Sequence, residues 1–173
     1  MYDDLSIKLF RCLRDEFKLD IEGVFVATTK AEYVNAVRAL SGYPKDTCEI
    51  VNISEFIERN WDELSLLNLA EYEEKYECTP VWKIIYSDRF LINYSYEDAV
   101  KMTAGFFMFF EKLFSKHDIS FYYDEVIATI QPYVAYYVGK KHGVEYFSQM
   151  IARGLDRTHH YFINDIYQHN ALF

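Results

Sequence analysis

Two adjacent carboxylates, Asp124 and Glu125, follow ISFYY, a run of strong β formers at residues 119–123. In open α/β folds ligands bind beyond the carboxyl ends of the strands, so an acid pair there lies where a cleft would be. A carboxylate in such a cleft can act as a general base and take the proton of an acceptor hydroxyl. Its plainer reading is a helix cap or a solvated loop acid. Further on, SQMIARGLDRTHHYFIND (residues 148–165) brings Ser148, Arg153, Arg157 and His160. The planar forks of Arg153 and Arg157 suit a phosphate or carboxylate, or else pair with surface acids. Ser148 has no G-x-S-x-G elbow around it, which disfavours a hydrolase nucleophile. His159, His160 and His169 with Asp156 and Asp165 have the chemistry of metal ligands. Neighbouring residues of a strand point to opposite faces, however, so only one of the adjacent histidines could join a site. No metal is expected.

The element that must position these groups is residues 119–148, which read as strand, loop, helix, strand. Pro132 fits the first turn of the helix, where its missing N–H costs nothing. Lys140, Lys141 and His142 suit the negative end of that helix, and Gly143 its stop. A strand–helix–strand crossover of this length is right-handed and parallel almost without exception. Asp124-Glu125 and Arg153/Arg157, each following one of its strands, should therefore share one sheet edge.

Upstream, residues 4–18 have a helical period through Leu5, Leu9, Phe10, Leu13 and Phe17. VFVAT (24–28) reads as a buried strand. Thr28 or Thr29 caps a second helix that runs to Leu40, with Tyr33, Val34, Val37 and Leu40 on one face. CEIVNI (48–53) is a second short strand. Residues 62–80 are helical with a solvated acidic face, and 80–87 lean towards helix. Ser95 and Asp98 resemble a capping box opening a long helix to His117, whose aromatic stripe is core. A Rossmann-like half normally begins with a strand, whereas this chain begins in a helix; either the first strand is missing or the sheet is built differently. With six Gly and three Pro there is no linker, and one domain over residues 1–173 is expected.

Composition narrows the partners. The net charge is −9, with 9 basic and 17 acidic residues in 1–80 against 9 and 10 in 81–173. No basic stripe could hold a phosphate backbone, so nucleic acid is disfavoured, and no signal-peptide layout or membrane-length apolar run is present. Cys12, Cys48 and Cys78 are scattered and odd in number, which argues for reduced thiols in a cytoplasmic compartment. Thirty Tyr and Phe residues (16 and 14) suggest a thinly covered core or a broad contact surface.

The strand, acid pair, Pro-bearing helix, KKHGV, second strand and Ser/Arg segment, together with DRF at 88–90, resemble the N-terminal, Rossmann-like half of GT-B-type proteins of bacterial capsular and surface polysaccharide biosynthesis. The resemblance covers residues 80–173. It implies a three-layer α/β/α domain with a small parallel sheet, working on a glycan acceptor or nucleotide-sugar as part of a longer glycosyltransferase-like protein. In such proteins the N-terminal half shapes the acceptor side, and a C-terminal domain or partner subunit holds most of the donor. Asp124 and Glu125 would then be catalytic, with Ser148, Arg153, Arg157 and His160 binding substrate. No GxGxxG or Walker loop is present, and no cofactor is expected. The alternative is a non-catalytic interaction domain that docks through a Tyr- and Phe-rich surface.

Overall fold

A computed structural model describes residues 3–64, 68–151 and 160–167. The chain gathers into two compact units, Met1–Arg59 and Asn60–Phe173, with no Gly- or Pro-rich linker at the division.

The first unit is a strand–helix–strand crossover with a helix before it. α1 (Asp3–Arg11) runs into a π-helical turn, Cys12–Glu16. β1 (Gly23–Ala27) and β2 (Cys48–Asn52) pair in parallel, with Phe25 opposite Ile50, and α2 (Lys30–Ala39) connects them. α3 (Ile53–Arg59) closes the unit. Thr29 caps α2 in a full capping box: its hydroxyl accepts the Glu32 amide at 3.1 Å, and Glu32 accepts the Thr29 amide at 3.1 Å. The core is Ile7, Phe10, Ala36 and Leu40, with Phe25 and Tyr43 edge-on to Phe10. The buried stripes keep Phe10 and Leu40 of the expected faces and add Ile7 and Ala36. Leu5 and Phe17 of the first segment and Val34 and Val37 of α2 are exposed. In a helix apolar on more than one side, tertiary contact chooses the stripe, and here Phe25 and Ile50 face Phe10 and Ala36.

The second unit begins with α4 (Trp61–Leu64), α5 (Leu69–Tyr76) and α6 (Val81–Ser87). A 3-10 turn, Leu91–Asn93, leads to α7 (Tyr96–Lys116). Ser95 caps α7 by accepting the Asp98 amide at 3.1 Å. β3 (Phe121–Asp124), α8 (Ile130–His142) and β4 (Glu145–Ile151) form the expected parallel crossover, with Tyr122 opposite Tyr146 and Asp124 opposite Ser148. Pro132 lies in the first turn of α8, and Gly143 ends it at φ +76°, a conformation glycine adopts without strain. β5 (His160–Ile163) then pairs antiparallel with β4. The segment after Ser148 therefore holds the last residues of β4 and a further strand. The fold is mixed α/β, with a parallel pair in one sheet and a mixed three-stranded sheet in the other, order β3-β4-β5, rather than one parallel sheet.

One face of the three-stranded sheet packs on helices. Tyr122 meets Phe110 and Phe114 of α7 edge-on, and Tyr146 meets Tyr136 of α8. A second node lies among the helices. Glu111 of α7 accepts Lys75 at 3.0 Å, the Tyr76 hydroxyl and His142 at 3.2 Å, joining α5, α7 and the end of α8. Burial alone would raise the Glu111 carboxyl, but these three hydrogen bonds prevail and hold it at about 2. Among the described residues no helix is long and apolar enough to cross a membrane.

Candidate functional site

Asp124 ends β3, and alternation along the strand puts it on the helix-covered face with Tyr122. Its Oδ2 accepts the Tyr122 hydroxyl at 2.7 Å, and its Oδ1 accepts the Glu125 amide at 2.7 Å. Burial pushes the Asp124 carboxyl up to about 6; hydrogen bonds from Tyr122, the Glu125 amide and Gln131 oppose that shift, while the Glu125 charge adds to it. Proton exchange near neutral pH is what a general base requires. Tyr146, opposite Tyr122 with ring centroids 5.9 Å apart, donates its hydroxyl to the Glu125 carbonyl. Burial raises both phenols, so they act as neutral donors.

Ser148 stands opposite Asp124 on β4 and is 0% exposed. Its hydroxyl has no hydrogen-bond partner among the described residues. Buried hydroxyls are almost always partnered, so this one marks a polar spot in the covered face beside Asp124. The structure thus brings together Asp124, Glu125 and Ser148. His160 heads β5 opposite Ile151, at the far end of the β4–β5 ladder from Ser148. Arg153 and Arg157 lie outside the described residues, as do Asp156, His159 and His169. Among the described residues no group of three His, Cys, Asp or Glu could hold a metal ion.

Sequence reasoning missed the residues that fix this edge. Asp88 is 1% exposed, and its carboxylate accepts three backbone amides: Phe90 at 2.7 Å, Leu91 at 2.9 Å and Ile130 at 2.7 Å. It therefore caps the 3-10 turn and, from 42 residues away, the start of α8, where Thr129 makes no side-chain cap. Arg89 reaches Glu125 at 3.8 Å across the surface. The local signal for the first role was present, since an Asp often binds amides two and three residues on. Nothing local announced the second.

The carboxyl edge of the first unit is arranged differently. Glu32 accepts the Thr28 amide at 2.7 Å, the Thr28 hydroxyl and the Thr29 amide, and Ser54 donates to the Thr28 carbonyl. A phosphate bound after β1 would need these same amides at the α2 N-terminus. The protein's own carboxylate fills that place. All three cysteines are free, and burial pushes the Cys78 thiol up to about 11, which makes it a poor nucleophile. Comparison with protein-family models, with curated proteins and with solved structures finds no match to this chain.

Proposed function

We propose that this chain is the acceptor-side domain of a glycosyltransferase-like protein of bacterial capsular or surface polysaccharide biosynthesis, Rossmann-like in plan and cytoplasmic. The observation that carries the reading is Asp124: a carboxyl at a parallel strand's end, raised to about 6 by burial and oriented by Tyr122 and the Glu125 amide. In this reading Asp124 takes the proton of a sugar hydroxyl as that oxygen bonds to the anomeric carbon of a nucleotide-sugar, whose bond to the nucleotide phosphate breaks and lets the nucleotide leave with the electron pair. Glu125 holds the loop through Arg89. Two parallel strand–helix–strand crossovers support the Rossmann-like plan. Glu32, seated where a phosphate would bind, supports placing the nucleotide donor outside the first unit. Saturation-transfer NMR with surface oligosaccharides and with nucleotide-sugars tests this. Oligosaccharide contacts without nucleotide contacts are expected; a nucleotide-sugar bound alone, or neither bound, overturns the reading.

A second reading is a non-catalytic docking domain, and the other face of the three-stranded sheet favours it. That face carries Phe121 and Phe162, 46% and 40% exposed, with Phe147 edge-on to Phe121 at 6.3 Å. Sedimentation decides it. A species that stays monomeric at high concentration, with no dye binding to exposed apolar surface, removes this reading.

A further inference from the structure

Asp124 is met by donors. Its oxygens accept the Tyr122 hydroxyl and the Glu125 amide, each at 2.7 Å, and the Gln131 side chain in the first turn of α8 donates to the same carboxyl. That set suits a carboxylate, which only accepts. A protonated carboxyl also carries an O–H, which needs an acceptor on this covered face. The Glu125 amide has none to offer, and the Tyr122 oxygen already accepts from Gln131. The Tyr146 oxygen is held against the Glu125 carbonyl by its own hydroxyl. Ser148 is differently placed. It stands opposite Asp124 in the β3–β4 register, so both side chains leave the same face of neighbouring strands. Its hydroxyl is fully buried and has no partner among the described residues. A single torsion, χ1, swings that hydroxyl between staggered positions.

We propose that Ser148 is the acceptor for the proton that Asp124 gains: turning about χ1, its oxygen takes the hydrogen bond of the protonated carboxyl and releases the ionised one. The proton of an attacking hydroxyl then passes to an Asp124 oxygen, stays bonded there and is shared with Ser148, whose own O–H is unchanged. Ser148 is thus a positioning residue that acts through Asp124. It favours the protonated form alone, whereas Tyr122, the Glu125 amide and Gln131 favour the carboxylate. The inference rests on the reading of Asp124 as a base and on no feature of the acceptor. The other groups around the carboxyl do not compete for the proton. Burial raises the phenols of Tyr122, Tyr123 and Tyr146, which stay neutral, and α7 presents Phe110 and Phe114 to Tyr122. Glu125, 3.8 Å from Arg89, is the adjoining charge.

The test is the Asp124 midpoint, read by carbon-13 NMR of the carboxyl carbons in the full chain and in four variants. Ser148→Ala should lower the midpoint by about 0.7 of a pH unit, the shift to which a neutral hydrogen bond of ~1 kcal/mol converts. Ser148→Cys has nearly the same shape and only a weak acceptor, so it should fall likewise, and it serves if the alanine chain does not fold. Tyr122→Phe removes a donor to the carboxylate and should move the midpoint the other way, upward. Above pH 7, where the carboxylate makes no use of it, the Ser148 hydroxyl should be dispensable to stability. A parent midpoint near 6 that Ser148→Ala and Ser148→Cys leave unmoved, or raise, overturns the inference and leaves Asp124 standing as the base. A larger fall in Tyr146→Phe than in the Ser148 variants gives the acceptor role to Tyr146 and overturns it too. An ordinary carboxylate midpoint in the parent removes both the inference and the base.

Discussion

Asp124→Asn probes the site most directly. The carboxyl titrates near 6 in the folded chain against an ordinary 3.8. Between those values the folded state holds the proton that the unfolded state has released. Stability must therefore fall as pH rises from about 4 to about 6 and level off above, since its slope follows the difference in bound protons. The gap corresponds to about 3 kcal/mol as a ceiling. Asp124 is only partly buried, and solvent screening brings the expected loss to about 1–2 kcal/mol. Asn carries no charge, so the variant lacks this slope. Its amide nitrogen is a donor only, however, so it cannot accept both the Tyr122 hydroxyl and the Glu125 amide, whereas the protonated carboxyl present at pH 4 keeps lone pairs on both oxygens. The variant should accordingly be less stable than the parent at pH 4 and level with it, or above it, at pH 7.5. Urea unfolding at half-unit pH steps measures the difference, and carbon-13 NMR of the carboxyl carbons reads the Asp124 midpoint directly. A midpoint below 4.5, or a difference between the two proteins that does not change with pH, refutes the reasoning.

Asp88→Ala strands three amides and should cost about 3 kcal/mol or more, against a smaller loss for Asp88→Asn; hydrogen exchange should show the first turn of α8 unprotected in the alanine variant. Because Glu111 sits at about 2 when folded and 4.5 otherwise, its contribution is present above pH 4.5 and lost as pH falls towards 2; Glu111→Gln should flatten that acid limb in a denaturation series. Ser148→Ala removes a buried hydroxyl without a partner among the described residues and should leave thermal stability unchanged or slightly higher, which calorimetry checks. Gly143→Ala forces a Cβ into a left-handed backbone conformation at φ +76° and should cost about 1 kcal/mol by urea unfolding.

The amino-acid sequence by itself determined the features that depend on a few neighbouring residues. Ser95 and Thr29 cap helices because their hydroxyls reach amides three residues on, and Gly143 ends α8 because glycine adopts that left-handed backbone without strain. The β3–α8–β4 crossover was legible too, since period-two and period-four patterns are local and the handedness of the connection follows from chain geometry. Tertiary structure decided the rest. It buried Ile7 and Ala36 beside the expected Phe10 and Leu40 and left Leu5, Val34 and Val37 exposed, because burial depends on what lies opposite. It laid β5 antiparallel on β4, a pairing no local pattern announces. It sent the Asp88 carboxylate to an amide 42 residues away and gathered Lys75, Tyr76 and His142 on Glu111. At the site the sequence supplied the acid pair at a strand's end, but the proton affinity of Asp124 came from the fold. Desolvation is a property of the space around a carboxyl, and that space is closed by Tyr122, Tyr146 and the helices packed over them.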